Sequence, residues 1–113
     1  MPQEIVTTLF YTFAQNNSGG SFYCDPEAGI GYRVVVEAVD ERHANALAIG
    51  IGLYFDGCES GLDCRCCGDR WHEVDKSDGK PMPMQYGEPI KGGWGIPSYI
   101  HRIGGQIEEI APE

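Results

Sequence analysis

The chain has 113 residues, of which 42% are hydrophobic and 22% charged, which suits one domain with a modest core and excludes a wholly disordered protein. Seventeen acidic residues against eight Lys and Arg give a net charge of −9 at pH 7, and such a field repels a DNA or RNA backbone. No apolar run approaches the roughly 20 residues that span a bilayer, and MPQEIVTTLF contains no signal-like segment, so we expect a protein of the reducing cytoplasm.

The first half of the chain predicts two strands and a helix. Residues 5–13 and 31–39 alternate β-branched and aromatic side chains between two faces, which is typical of strands. The Asn-, Ser- and Gly-rich stretch between them predicts an exposed turn. Asp40 can cap the free amides of a helix, and an apolar stripe of helical period predicts that helix over residues 41–49. Gly50 and Gly52 are suited to end it.

The second half predicts short strands, long loops and a hairpin. Residues 53–55 and 70–74 are predicted strands on either side of a cysteine-rich segment, and residues 75–95 are irregular because Gly, Pro and charged residues dominate them. Residues 99–103 and 106–110 predict a hairpin around the turn Gly104–Gly105, since glycine supplies the positive φ of a tight turn. We therefore expect one α+β domain over residues 1–113, with an antiparallel or mixed sheet, one main helix, long loops and a C-terminal hairpin.

Four of the five cysteines lie within ten positions of YFDGCESGLDCRCCGDRW, the cysteine segment (residues 54–71). Its C-x-x-C-G spacing is typical of a zinc knuckle, in which a tight turn points two thiolates at one metal. Thiols packed under a loop without metal are equally favoured, whereas disulfides are disfavoured in a reducing compartment. If zinc is present, its role is structural. The predicted ligand set is Cys58, Cys64, Cys67 and His72, with Cys66 and Cys24 as alternatives for the fourth position.

Two stretches have the composition of a small-ligand site. The glycines and polar side chains of QNNSGGSF can present several donors to a phosphate, and Phe22 can stack on a base, although a simple turn explains the same residues. Arg70 offers a planar fork for a phosphate and Trp71 a stacking face. Alternatively, Trp71 is a core residue and Arg70 pairs with a carboxylate. No catalytic set is apparent, so we do not expect an enzyme.

The motifs YTFAQNNSGGSF and IGLYFDG…DCxCCGDRW, joined by the strand–Asp–helix unit, resemble a family of small tailed-bacteriophage proteins of formerly uncharacterised domain type. The resemblance covers roughly residues 11–71. It implies a counter-defence sponge of the sequestin kind, acting in the host cytoplasm, which binds a nucleotide immune signal such as a cyclic ADP-ribose isomer or a cyclic dinucleotide without cleaving it. A homodimer is expected to close on the ligand. The ligand residues that it implies are Asn16, Asn17, Ser18, Gly19, Gly20 and Phe22, with Arg70 and Trp71 as a second wall.

Two other functions stay open from the sequence alone. A small zinc-stabilised protein-interaction module without a small-molecule ligand is the main alternative. A hydrolase of nucleotide signals is disfavoured, because no nucleophile and base can be paired from the sequence.

Overall fold

This computed structural model describes residues 7–16, 22–63 and 65–112, which form one main helix, two sheets and long connections. In chain order the strands are β1 (Leu9–Ala14), β2 (Arg33–Ala38), β3 (Met84–Gln85), β4 (Glu88–Pro89), β5 (Ser98–His101) and β6 (Ile107–Ile110). The helices are α1 (Glu41–Ile51) and the short α2 (Gly57–Ser60), with a 3₁₀ helix at Lys76–Asp78.

Four strands form a mixed sheet in the order β1-β2-β5-β6. β1 runs antiparallel to β2, with Leu9 opposite Ala38, and β2 runs parallel to β5, with Val34 opposite Tyr99. β5 and β6 form the antiparallel C-terminal hairpin, and β3 and β4 form a separate two-stranded sheet. The prediction of a small α+β fold with a mixed sheet and one main helix is confirmed.

The core lies between one face of this sheet and α1. Alternate residues of a strand point to the same face, so Tyr11 and Phe13 of β1 join Val34 and Val36 of β2 beneath the helix. The helix contributes only alanines to the fully buried layer, which lets it approach the sheet closely. The remaining buried residues of this cluster are Ile30, Ala38, Leu53, Trp71 and Val74. A smaller cluster of Phe10, Val35, Ile90 and Ile100 covers the opposite face.

The ends of α1 follow from its capping residues. Asp40 Oδ1 accepts the His43 N–H at 2.8 Å, as the sequence predicts. The helix ends at Gly52, whose φ of 126° is unfavourable for residues with a Cβ and whose N–H donates to the carbonyls of Ala48 and Ile49. The prediction that Gly50 ends the helix is wrong, because Gly50 lies within it and α1 extends to residue 51.

Two predicted strands are wrong, because their backbone groups bond to the C-terminal turn of α1 or to a side chain of α1 instead of to a neighbouring strand. In residues 53–55, the Leu53 N–H donates to the Ala48 carbonyl at 3.0 Å, which continues the end of α1. In residues 70–74, Asn45 binds Val74 reciprocally, with Nδ2 donating to the Val74 carbonyl and Oδ1 accepting the Val74 N–H. Both segments still bury an apolar residue, which is the feature that resembled a strand.

The remaining boundaries differ by a few residues. Residues 5 and 6 of the first predicted strand lie outside the described part of the chain. The hairpin turn is longer than two glycines, because Arg102 N–H donates to the Gln106 carbonyl and Gly105 N–H donates back to the Arg102 carbonyl. Only Gly105 of the pair has positive φ, at 92°. None of the helices in the described ranges is long and apolar enough to span a bilayer.

Candidate ligand-binding site

The structure joins the end of β1 to the cysteine segment, the two regions predicted to be walls of one ligand site. Asn16 N–H donates to the Arg70 carbonyl at 2.8 Å, and Asn16 Nδ2 donates to the Cys67 carbonyl at 2.5 Å. Arg70 Nη1 donates to Gln15 Oε1 at 3.1 Å and to the Asn16 carbonyl at 3.4 Å. The structure therefore brings together Asn16 and Arg70, one residue from each of the two predicted stretches. The other predicted residues of this wall, Asn17, Ser18, Gly19 and Gly20, lie outside the described residues.

Arg70 faces a buried carboxylate. Its Nε lies 3.9 Å from Asp63 Oδ1, and the two side chains are 13% and 1% exposed. The same carboxylate accepts the Arg70 N–H and the Tyr54 hydroxyl, each at 2.8 Å. Burial, followed by the hydrogen bond to Asp63, raises the pKa of Tyr54. Arg70 thus pairs with a carboxylate, as the alternative interpretation of the sequence proposed. Its guanidinium also holds the cysteine segment against β1.

Asp63 is the centre of this network, and the sequence analysis did not single it out. The Gly57 carbonyl accepts the N–H groups of Leu62 and Asp63 at 2.8 and 3.0 Å, which folds the segment back on itself. A Cβ at Gly57 would lie 1.9 Å from Asp63 Oδ2, so only glycine fits there. The hydroxyl and amide partners of Asp63 are 9 and 7 residues away, spacings that match no local periodic pattern. No sequence signal could have identified it.

Trp71 is a core residue, which corrects its predicted ligand role. Its side chain is 1% exposed and packs within the cluster beneath α1. A ring that is covered by the protein offers no face to a ligand. The structure agrees with the alternative that the sequence left open, in which Trp71 is a core residue.

The predicted zinc ligands are described only in part. Cys58 is half-buried, and its N–H donates to the Asp69 carboxylate at 2.8 Å; this bond, followed by one to the Cys58 thiol, lowers the pKa of Asp69. Cys67 and His72 are exposed. Among residues 7–16, 22–63 and 65–112, no three His, Cys, Asp or Glu side chains are grouped as a metal site. Cys64 lies outside those ranges, so the zinc set stays a prediction.

A second group of rings, the aromatic cluster of Phe22, Tyr32 and Trp94, lies on the surface. The Phe22 ring stacks on Trp94 with centroids 6.0 Å apart, and it meets Tyr32 edge-on at 5.5 Å. Gly93 packs so closely on the Tyr32 ring that a Cβ would lie 2.7 Å from it. Trp94 is 78% exposed. The sequence predicted Phe22 as a stacking residue and missed the two rings beside it.

Two turns present aromatic side chains to solvent in the same way. Tyr86 and Gly87 join β3 to β4, and Trp94 and Gly95 form the turn between the paired residues 93 and 96. All four residues have positive φ, at 55° and 77° in the first turn and 56° and 74° in the second. Positive φ at both central residues is the pattern of a type I′ turn, where Asn-Gly is usual and a bulky side chain is disfavoured. Tyr86 is 87% exposed.

A cavity of about 210 Å³ lies beside these rings and contains two cationic side chains. Its walls include Tyr32, Arg33, Gln85, Tyr86 and Lys91. Arg33 Cζ lies 4.0 Å from the Tyr32 ring centroid, and its Nε donates to Gln85 Oε1 at 2.6 Å. Its Nη1 and Nη2 donate to the Tyr32 carbonyl at 3.0 Å and the Tyr32 hydroxyl at 3.4 Å. Since a guanidinium has five N–H groups, these bonds leave two for a ligand.

The second cation of the cavity is less constrained. Lys91 Nζ lies 3.9 Å from Glu88 Oε2, and both side chains are at least half exposed. Exposed pairs of this kind contribute little, so Lys91 can turn towards an anionic ligand at small cost. Across the β3–β4 hairpin, a second cavity of about 390 Å³ shares Gln85 and Tyr86 and contains Lys80. The exposed Tyr86 therefore stands between two cavities that each contain a lysine.

Comparison with known protein families matches residues 8–112 to a domain of unknown function, DUF7296. The chain belongs to this family. No curated protein and no solved structure matches the chain. The match includes both the cysteine segment and the aromatic cluster, so both are parts of the DUF7296 domain.

The aromatic surface of this DUF7296 chain carries one signal that the sequence analysis did not use. The stretches QYGE and GWGI each place an aromatic residue directly before glycine within the irregular residues 75–95 and their margin. An aromatic–glycine pair is not a usual turn pair, and the surrounding prolines and glycines obscured it. Recurrence of the pair eight residues later is the feature that indicates two similar turns.

Proposed function

We propose that this protein binds a small nucleotide at the aromatic cluster and the adjoining cavity, and sequesters it without cleaving it. The observation that carries the proposal is the pair of exposed rings, Tyr86 and Trp94, held in left-handed backbone next to the cavity of Arg33 and Lys91. Left-handed backbone costs a residue with a side chain about 1–2 kcal/mol. Such outliers concentrate at ligand sites, where the geometry is retained for function.

The chemistry of these residues suits a base and a phosphate. Stacking of one base on an aromatic side chain contributes about 1–3 kcal/mol. The two remaining N–H groups of Arg33 match the planar, bidentate geometry that phosphate oxygens accept. The net charge of −9 opposes an anion at long range, and Glu88 also lines the cavity, but Arg33 and Lys91 act at contact distance, where screening by salt is least effective.

The identity of the nucleotide follows from the resemblance to the phage sponges. We propose a cyclic ADP-ribose isomer or a cyclic dinucleotide made by a bacterial immune system, bound by a homodimer in the host cytoplasm. The family match carries no activity, so this part of the proposal rests on the resemblance. Phe22 supports it, because the sequence predicted that residue as a stacking wall and it lies within the aromatic cluster.

The test is depletion of a nucleotide panel by purified protein. We expect one member of a set of cyclic dinucleotides and cyclic ADP-ribose isomers to disappear from the free fraction and to return intact after heat denaturation. Return of a cleavage product would contradict sequestration, and would indicate the hydrolase. A panel left unchanged would contradict the nucleotide proposal itself.

The chain contains two tryptophans, which allows the site to be mapped by fluorescence. In a Trp71→Phe variant the remaining Trp94 is expected to be quenched by the depleted nucleotide, whereas in Trp94→Phe the buried Trp71 is expected to be unaffected. Trp94→Ala should weaken binding by about 10- to 100-fold, the equivalent of one lost stacking contact. Leu62→Ala is the matched control, since Leu62 is a 65% exposed apolar residue on the cysteine segment. An equal loss of nucleotide affinity in Trp94→Ala and Leu62→Ala would exclude the aromatic cluster as the site.

A protein-interaction module is the second candidate, and the same exposed rings favour it. Tyr and Trp are enriched at protein interfaces, and Met82, 57% exposed, adds to the apolar surface near Tyr86 in the sequence. This candidate predicts that the nucleotide panel stays unchanged while Trp94→Ala abolishes capture of a host or phage protein. If zinc stabilises this module, protein purified without chelator should contain close to one zinc per chain. A zinc content near zero would exclude structural zinc.

A further inference from the structure

Two adjacent thiols lie on the exposed side of the cysteine segment. Cys66 Sγ and Cys67 Sγ are 3.7 Å apart, and both residues are exposed. They lie in a turn at residues 65–67. Two sulfur atoms at this separation can bind one ion together without rearrangement of the backbone.

The backbone of this turn is held at Cys67 and at the residues that follow it. Asn16 Nδ2 donates to the Cys67 carbonyl at 2.5 Å, which ties the turn to the end of β1. Gly68 follows with φ of 90°, and beyond it the Arg70 N–H is held by Asp63. Chelation by a turn that is already ordered loses little conformational entropy, which favours binding.

We propose that Cys66 and Cys67 form a bidentate site for a soft, thiophilic metal or metalloid ion. Thiolates are soft ligands and select soft ions over Mg²⁺ or Ca²⁺. With a monosubstituted trivalent arsenical, each thiol forms one S–As bond and gives up its proton, and the arsenic oxygen leaves as water. No atom is oxidised or reduced, so the reaction needs no further reagent.

The other described cysteines lack this arrangement. The Cys58 thiol and N–H both bind the Asp69 carboxylate. Cys24 lies beside Asp25, and burial, followed by the charges of Asp25 and Glu109, raises its pKa and disfavours its thiolate. The proposed site shares Cys67 with the predicted zinc set, but it needs neither Cys58, Cys64 nor His72.

The experiment uses phenylarsine oxide on the full chain after reduction with a phosphine and desalting. We expect an intact mass that is greater by one phenylarsenic group less two hydrogens. This adduct should persist in a large excess of glutathione, a monothiol, and should be removed by a small dithiol. Cys66→Ser and Cys67→Ser should each lower the glutathione-resistant adduct by roughly 100-fold, because a second thiol on the same turn acts at a high effective concentration.

The control variants locate the site. Cys24→Ser, Cys58→Ser and Cys64→Ser are each expected to keep the adduct, and His72→Ala should keep it while removing zinc if the predicted zinc set exists. The melting temperature of each variant is measured alongside, and Cys66→Ser and Cys67→Ser should leave it unchanged because both residues are exposed. Retention of the resistant adduct in Cys66→Ser or Cys67→Ser, or its loss in Cys64→Ser, would overturn the assignment.

Discussion

The cysteine segment and the aromatic cluster use their unusual residues in opposite ways. In the cysteine segment, Arg70, Asp63 and Trp71 face inwards, where they bind one another or fill the core. In the aromatic cluster, Trp94 is exposed although it is among the largest apolar side chains of the chain. The cysteine segment therefore builds the scaffold, while the two turns at residues 86–87 and 94–95 present the exposed rings.

This difference follows from what each region must satisfy. A segment without regular structure has many polar groups to pair, and the two carboxylate oxygens of Asp63 accept the Arg70 backbone N–H and the Tyr54 hydroxyl. The turns at residues 86–87 and 94–95 pair their backbone locally, so their side chains are not needed for folding. Loops positioned in this way on a rigid scaffold commonly carry binding functions.

The largest difference between the two regions is expected in the stability lost when each tryptophan is replaced separately. Trp71→Ala should lower the free energy of unfolding by about 3–5 kcal/mol, because it leaves a large cavity in the core. Trp94→Ala should lower it by less than about 1 kcal/mol, since the lost contact is one exposed stacking pair. Urea unfolding followed by circular dichroism measures both. Similar losses in the two variants would contradict the division into scaffold and binding surface.

Removal of the Asp63 carboxylate should have the next largest effect. Asp63→Ala leaves the Tyr54 hydroxyl and the mostly buried Arg70 without their carboxylate partner, and should cost about 3 kcal/mol of stability. Glu59→Ala, an exposed change on the same segment, should leave the melting temperature unchanged. Nucleotide affinity should change by less than about twofold, because the hydrogen bonds of Asp63 within the described residues go to Tyr54, Gly57 and Arg70, which lie outside the aromatic cluster. Loss of binding in a folded Asp63→Ala protein would move the ligand site back to the cysteine segment.

A smaller effect of opposite sign is expected at the first aromatic turn. Tyr86→Asn should raise the free energy of unfolding by about 0.5–1 kcal/mol, because Asn tolerates left-handed backbone better than a ring does. The same change should weaken nucleotide binding, since it removes an exposed ring from the cavity wall. Thermal unfolding and the depletion assay measure the two effects. A stabilised variant with unchanged affinity would show that Tyr86 is not part of the site.

The sequence predicted those parts of the molecule whose causes are local. The cap at Asp40 and the small apolar stripe of α1 lie within a few residues of the structure they specify, as does the hairpin around Gly105. The reciprocal bonds of Asn45 with Val74 connect residues 29 apart, so the strand predicted at residues 70–74 could not be corrected from its own composition. Phe22 was found by its type, whereas Trp94 was missed because its partners come together only in the folded chain.

The smallest expected difference between the two regions is their response to low pH. The hydrogen bond from the Cys58 N–H, followed by that from its thiol, lowers the pKa of Asp69 below its ordinary value of 3.8. Stability that depends on the Asp69 carboxylate is therefore complete above this value and is lost as the pH falls through the lowered pKa. The contacts among Phe22, Tyr32 and Trp94 contain no carboxylate and should not titrate in that range.

The Cys58 amide and the Trp94 indole are the two reporters for this experiment by ¹⁵N NMR. As the pH falls below the ordinary pKa of Asp69, the Cys58 amide signal should shift while the Trp94 indole signal stays in place. Asp69→Asn keeps an oxygen acceptor for the Cys58 N–H without a titrating group, so it should remove the shift. If both signals shift together in the wild-type chain, the two regions respond to acid as one unit. Protonation of Asp69 in the cysteine segment would then change the surroundings of Trp94 as well.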